Sequence, residues 1–181
     1  MAPSATSTPN FGWGVQPIAK FGASVPLSAM PAPNFGGFAA IACGLMSDRT
    51  LVLLKPDAVE RKLVGEIVSR FEGKNLDVVA MDIRTLDADT LARHYEEHVG
   101  KGFYGELVEF MSRGPVVALV IEGPEDTWEV VRAMMGATNP RTAVPGTIRG
   151  DLGILFTENL VHGSDSLVSA EREIGIFFPN L

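Results

Sequence analysis

Two uninterrupted apolar runs, Leu51-Val52-Leu53-Leu54 and Val116-Val117-Ala118-Leu119-Val120-Ile121, constrain this chain more than any other feature. Each is too short for a helix and neither alternates with polar residues, so each reads as a strand buried on both faces near the centre of a sheet. The first run is closed by Lys55-Pro56-Asp57, and a proline cannot continue a central strand. Val64, Ile67, Val68 and Phe71 recur at helical spacing, with Gly73 as the stop. Over residues 76–86, Val79, Met81, Ile83 and Thr85 alternate with Asp82 and Arg84, the pattern of a strand with one wet face toward a sheet edge. Residues 90–98 and 103–111 read as a helix pair joined across Gly100 and Gly102, and Pro124 is placed to open a helix carrying Trp128, Val131 and Met135. Residues 136–158 contain Pro140 and Pro145 and hold no sustained period, a long loop of the kind that has a functional reason. A short strand at Leu160-Val161 follows, then a last helix through Leu167, Ala170, Ile174 and Phe177, capped by Asp165 or Ser166.

With the extra helix pair set aside, the order of elements is βαββαβ. It predicts an α+β domain over residues 46–181: a four-stranded antiparallel sheet covered on one face by helices, in the ferredoxin-like split βαβ arrangement. Residues 1–45 have a different character, with no Asp or Glu, Lys20 as the sole basic residue, and Pro9-Asn10-Phe11-Gly12 recurring at Pro33-Asn34-Phe35-Gly36. Such a stretch sustains no period and reads as a disordered N-terminal extension. An organelle-targeting peptide would carry several Arg, a secretory signal a positive start and a longer apolar run, and the composition changes abruptly at Met46, which favours a start there.

The formal net charge of -7 disfavours a duplex-binding surface, and the single cysteine, Cys43, forbids an intramolecular disulfide. A cytoplasmic protein is the expectation, with no nucleic-acid partner and no membrane partner. Neither a P-loop nor a Gly-x-Gly-x-x-Gly turn follows the first strand. His94-Tyr95-Glu96-Glu97-His98 puts two imidazoles one turn apart, but Tyr95 stands where the metalloprotease pattern needs Glu, so the pair reads as two surface histidines on a charged helix.

Asn159-Leu160-Val161-His162-Gly163-Ser164-Asp165-Ser166 is more informative. A lone His at a strand end, just before a helix begins, is both held and accessible, and a helix start favours an arriving phosphate. Imidazole is largely uncharged near neutrality, so it can attack phosphorus and later leave. Glu173 shares a helical face with Ala170 and Phe177, so it points inward, where the imidazole N–H is a reasonable partner. On the residues taken singly, a capping or core histidine remains an equal alternative.

The string from Asn159 to Ser166, with Ala170-Glu171-Arg172-Glu173 after it, closely resembles the active-site signature of the nucleoside diphosphate kinase family. The likeness continues through Lys55-Pro56-Asp57, Leu63-Val64-Gly65-Glu66-Ile67, His94-Tyr95, Gly114-Pro115-Val116, Gly136-Ala137-Thr138-Asn139-Pro140 and Pro145-Gly146-Thr147-Ile148-Arg149-Gly150-Asp151, in register over residues 49–178. The resemblance implies a ping-pong transfer of a γ-phosphate from a nucleoside triphosphate to a nucleoside diphosphate through a phosphohistidine at His162, which Glu173 and Ser164 position. It implies that Lys55, Tyr95, Arg132, Thr138, Arg149 and Asn159 hold phosphates and sugar. Phe103 and Phe156 would sandwich the base, Mg²⁺ would be carried between the nucleotide's phosphates, and the chain would form a homo-oligomer, tetramer or hexamer.

Some positions depart from the family pattern: Thr157-Glu158 where Gly-Arg is usual, Ala58 for Gly, and Gly102 for Pro. Glu158 is expected to bring negative charge near the phosphate path, slowing turnover or altering stability without abolishing activity. Two rival classes remain at this stage: a nucleotide-sensing module that keeps the pocket but not the rate, and a nucleic-acid binder using the sheet.

Overall fold

The computed structural model describes residues 47–181; the expectations for residues 1–45 lie outside them. Strand β1 (Asp48–Leu54) leads into helices α1 (Pro56–Glu60) and α2 (Val64–Gly73), then β2 (Asp77–Arg84). Helices α3 (Ala88–His94) and α4 (Tyr104–Ser112) precede β3 (Val116–Gly123) and α5 (Thr127–Met135). After α6 (Ile148–Leu152) the chain enters β4 (Val161–Gly163) and ends with α7 (Leu167–Phe177). The strands form one sheet in the order β2-β3-β1-β4, with every pairing antiparallel. The predicted sheet and its order of elements are therefore present, with the two apolar runs in the two central strands.

The helices cover both faces rather than one. Val52, Leu54, Leu119 and Ile121 pack with Ile67, Phe71, Val131 and Met135 on the face of α2 and α5. Leu51, Leu53, Ala118 and Val120 pack with Leu91, Met111 and Phe177 on the face of α3, α4 and α7. The continuous apolar pattern of β1 and β3 requires this, because a one-sided sheet would leave half of those side chains in water. It also leaves the sheet's central strands no open face on which a nucleic acid could lie.

Strand β2 is the predicted edge, but its wet side is the apolar one. Val78 pairs with Ile121 and Ala80 with Val120, so Val79 is the extra residue of a bulge that reverses which side chains face which way. Beyond it Met81 and Ile83 extend past the helices and stand 52% and 61% exposed. Pro124 does not open α5; Asp126 is the N-cap, in the left-handed region at φ 61°. The long loop of residues 136–158 contains a 3-10 turn at Pro140–Thr142 and the short α6. Gly150 is the one residue type that fits there, since an added Cβ would run into the Val144 backbone carbonyl.

Candidate active site

Lys55 and Asp57 flank a proline whose fixed φ starts α1 directly after β1, and both reach across to the chain before β4. The Lys55 backbone N–H donates to the Leu160 carbonyl at 2.8 Å, and the Leu160 N–H donates to Asp57 Oδ2 at 3.0 Å. Leu160 needs this grip, because its φ of 72° is left-handed, a conformation that costs a non-glycine residue about 1–3 kcal/mol. The turn it makes delivers His162 to β4 opposite Leu53, on the sheet face covered by α3 and α7. Next to it, Gly163 is packed so closely that a Cβ would meet Met135 Sδ at 2.8 Å.

His162 is partly exposed and its Nε2 lies 3.1 Å from Glu173 Oε1. The other carboxylate oxygen accepts the Ser164 hydroxyl at 2.6 Å, and the Leu51 N–H donates to that hydroxyl's oxygen at 3.3 Å. Glu173 is thus fixed from the sheet. Burial pushes its carboxyl up, yet the hydrogen bond and charge of His162 and the Ser164 hydroxyl hold it down at about 2. It is an anion at working pH, and an anion on Nε2 makes that nitrogen the N–H of the neutral ring. Nδ1 is left with the lone pair.

A cleft of about 450 Å³ opens over this ring, lined by Lys55, Tyr95, Phe103, Arg132, Thr138, Arg149, Phe156 and Asn159 as well as His162 and Glu173. Every site residue expected from the sequence lines it except Ser164, which is buried behind Glu173. Lys55 Nζ donates to Asn159 Oδ1 at 2.7 Å, and Asn159 Nδ2 donates to the Thr138 carbonyl at 2.9 Å. Arg132 donates to the Gly163 carbonyl at 3.2 Å. Arg149 is no solvated charge: it is buried, and Nε, NH1 and NH2 donate to the carbonyls of Asn159, Gly136 and Val161 at 3.2, 2.7 and 2.7 Å. Burial, then Arg132, lower its pKa to about 10. Phe103 and Phe156 are exposed at the mouth.

Two expectations need correction. His94 is not a surface histidine: α3 ends at it and its side chain is fully buried, with its ring centroid 4.7 Å from that of His162. His98 lies on a separate 3-10 turn, so the two rings do not share a helix. Second, the start of α7 is not free for a phosphate, since the Ser166 side chain accepts the Ser169 N–H there and Asp165 stands beside it. The cleft's positive charge comes instead from Lys55, Arg132, Arg149 and Arg172. Glu158, expected near the phosphate path, is ion-paired, and its charge still reaches Asp57. The Glu158 carboxylate accepts from Arg113 at 2.7 Å, and Arg113 is shared with Glu60 at 2.9 Å. Ala58, another departure, is simply a fully buried core residue.

Burial, reinforced by Arg149, lowers the Lys55 pKa to about 8. The kcat/KM for a nucleoside triphosphate is accordingly expected to fall about tenfold per pH unit above that value. Unfolding does not explain such a limb. The native lysine releases its proton near 8 and the unfolded one near 10.5, so between those values the unfolded chain binds more protons and the fold gains stability as pH rises. A pH profile flat to pH 10, with the fold intact, would contradict the assignment of Lys55 to phosphate binding.

A nucleotide-sized cleft with an oriented imidazole on its floor and cations on its wall is the arrangement that a phosphoryl-transfer protein needs. Residues 48–181 match the family model described as nucleoside diphosphate kinase. A nucleoside diphosphate kinase of Streptomyces avermitilis is 62% identical over 135 residues, 74% of this chain and 98% of that protein. One from Nocardioides is 60% identical over 136 residues, 75% of this chain and all of that protein. Among solved structures, a halophilic nucleoside diphosphate kinase from Halobacterium salinarum in complex with CDP matches with a TM-score of 0.72 and 45% identity, over 74% of this chain and 89% of that one. The chain belongs to the nucleoside diphosphate kinase family. It is an enzyme that transfers the γ-phosphate of a nucleoside triphosphate to a nucleoside diphosphate.

Proposed function

We propose that the transfer runs through Nδ1 of His162. The observation that carries this reading is the Nε2 contact to an anchored, ionised Glu173. The Nδ1 lone pair attacks the γ-phosphorus as the bond to the leaving diphosphate oxygen breaks, and positive charge grows on the ring. Glu173 stabilises that charge from behind without taking the proton. A second nucleoside diphosphate then attacks phosphorus through its terminal oxygen, and the imidazole leaves as it was. Lys55, Arg132 and Arg149 neutralise the phosphoryl oxygens, and Tyr95, Thr138 and Asn159 complete the phosphate and sugar contacts.

The exposed Phe103 and Phe156 stack on the base, using the π-face that every base has, so purines and pyrimidines both serve. The cytidine nucleotide in the Halobacterium relative supports that breadth. Glu97, Glu106 and Asp165 line the cleft beside its cations, but among the described residues they form no carboxylate cage. That donor set fits a Mg²⁺ ion held by the nucleotide's own phosphates, where it would neutralise charge.

The test is two-stage. Protein incubated with γ-labelled ATP and freed of nucleotide is expected to carry base-stable, acid-labile label, and then to give it up to GDP, CDP or UDP alike. Stable binding of ATP without any label would overturn the histidine route.

We also propose a homo-oligomer built over the β2 edge, where Met81 and Ile83 expose an apolar face beside unpaired strand backbone. Ile83→Glu is expected to shift the sedimentation profile toward monomer, and an unchanged profile would place the interface elsewhere. No helix among the described residues is long and apolar enough to cross a membrane. A cytoplasmic location is proposed, to be checked by fractionating the native cells.

A further inference from the structure

The nucleotide reaction makes no use of His94, although burying an imidazole with nothing to bond is costly. Its side chain is fully enclosed, and neither Nδ1 nor Nε2 has a hydrogen-bond partner among the described residues. Nδ1 nevertheless points at Glu173 Oε1 from 3.6 Å, while His162 Nε2 approaches the same oxygen at 3.1 Å. One ligand atom from each of the three residues falls within 4.8 Å of the others. Two imidazole nitrogens and a carboxylate oxygen are the donor set of a three-ligand zinc site, and adjacent ligands on a tetrahedral ion stand about 3.3 Å apart. Both contacts to the carboxylate already have that spacing.

We propose that His94, His162 and Glu173 form an inhibitory site for a borderline divalent ion of the zinc class, sited below the nucleotide cleft. The donors suit it. Glu173 is ionised, and burial together with His162 pushes the His94 pKa down to about 3, so its ring is neutral with a lone pair to give. Mg²⁺ prefers oxygen ligands and does not compete for imidazole. Water from the cleft, which all three residues line, would complete a four-coordinate shell. Arg172, whose NH2 lies 3.9 Å from the same carboxylate oxygen and whose NH1 donates to the Arg93 carbonyl at 3.2 Å, opposes the ion, but its side chain is 37% exposed and its charge is screened by water.

The consequence follows from the two nitrogens of one ring. Coordination at Nε2 requires the ring's single proton to move from Nε2 to Nδ1 by exchange with solvent, with no net release, so the Nδ1 lone pair is lost. The ion therefore silences the nucleophile without entering the nucleotide subsite. This consequence rests on the phosphohistidine reading, whereas the binding of the ion does not.

Metal-free, nucleotide-free full-length protein is titrated with Co²⁺, then with Zn²⁺. One Co²⁺ per chain with the intense visible bands of a four-coordinate ion is expected, displaced by one equivalent of Zn²⁺. His94→Gln should weaken zinc binding at least about tenfold, and His98→Gln, on the neighbouring turn, should leave it unchanged. In the zinc-loaded protein, ATP labelling should fall with the bound fraction while nucleotide affinity persists, so kcat drops at constant KM. Absence of a cobalt spectrum in the wild-type protein overturns the site, and so does zinc affinity indifferent to His94→Gln or lost in His98→Gln. Stoichiometric zinc that leaves labelling intact overturns the inhibition alone, and a protein never labelled, with or without zinc, overturns the phosphohistidine reading instead.

Discussion

His162→Ala is expected to abolish phosphorylation from labelled ATP and to lower steady-state transfer more than about ten-thousandfold, as removal of an attacking nucleophile does. The size of the effect comes from what the rest of the site cannot replace. Lys55, Arg132 and Arg149 can hold and neutralise phosphate, but none offers a neutral lone pair at the floor of the cleft. Nucleotide binding should change only a few-fold, because the ring faces the γ-phosphate and the base and sugar lie elsewhere. The fold should survive as well, since His162 is partly exposed and occupies the last-paired edge strand of the sheet. Transfer above about one per cent of the wild-type rate, in a variant that still binds ATP, would remove the histidine from the mechanism.

Arg149→Lys should be the most destabilising conservative change in the site. The guanidinium ties the carbonyls of Gly136, Asn159 and Val161 together, joining the end of α5, the turn before β4 and β4 itself. A lysine can reach one of the three, and each buried acceptor left without its donor costs about 1–3 kcal/mol. A loss of about 3 kcal/mol is expected, and with it a fall in melting temperature on the order of 10 °C. Activity should fall further than stability explains, because Leu160 and His162 lie just after the released turn. Calorimetry on the folded variant checks the first part. A melting temperature within a degree or two of wild type would mean that these three bonds do not hold the loop.

Some of this was readable in the amino-acid order. The apolar runs of β1 and β3 named the central strands because their composition admits only burial on both sides, and the βαββαβ order of elements followed. His162 and Glu173 were legible as candidates through local spacing, a strand end and an inward helix face, whereas the positioning role of Ser164 came from the resemblance. Lys55, Arg132, Thr138, Arg149 and Asn159 were found only by resemblance, since isolated cations and amides have no period to betray them. His94 was misread because helical spacing to His98 suggested a shared surface face, and the helix ends between them. The exposed side of β2 was misread for a related reason. A bulge of one residue at Val79 changes which side chains face the helices, and composition does not mark it.

The sequence by itself determined which strands lie at the centre and which family the chain resembles, and it singled out His162 as the candidate nucleophile, because each depends on short-range pattern or on side-chain chemistry that travels with the residue. Only the tertiary structure decided which nitrogen of His162 meets Glu173, that Arg149 spends its donors on backbone carbonyls, that Arg113 holds Glu158, and that a second imidazole lies beside the first. Those outcomes depend on atoms brought within about 3 Å by residues up to a hundred positions apart, as Asp57 and Leu160 are, separated by 103 residues. Hydrogen bonds and ion contacts act only at such distances, and no local pattern in the chain records which partners folding will bring together.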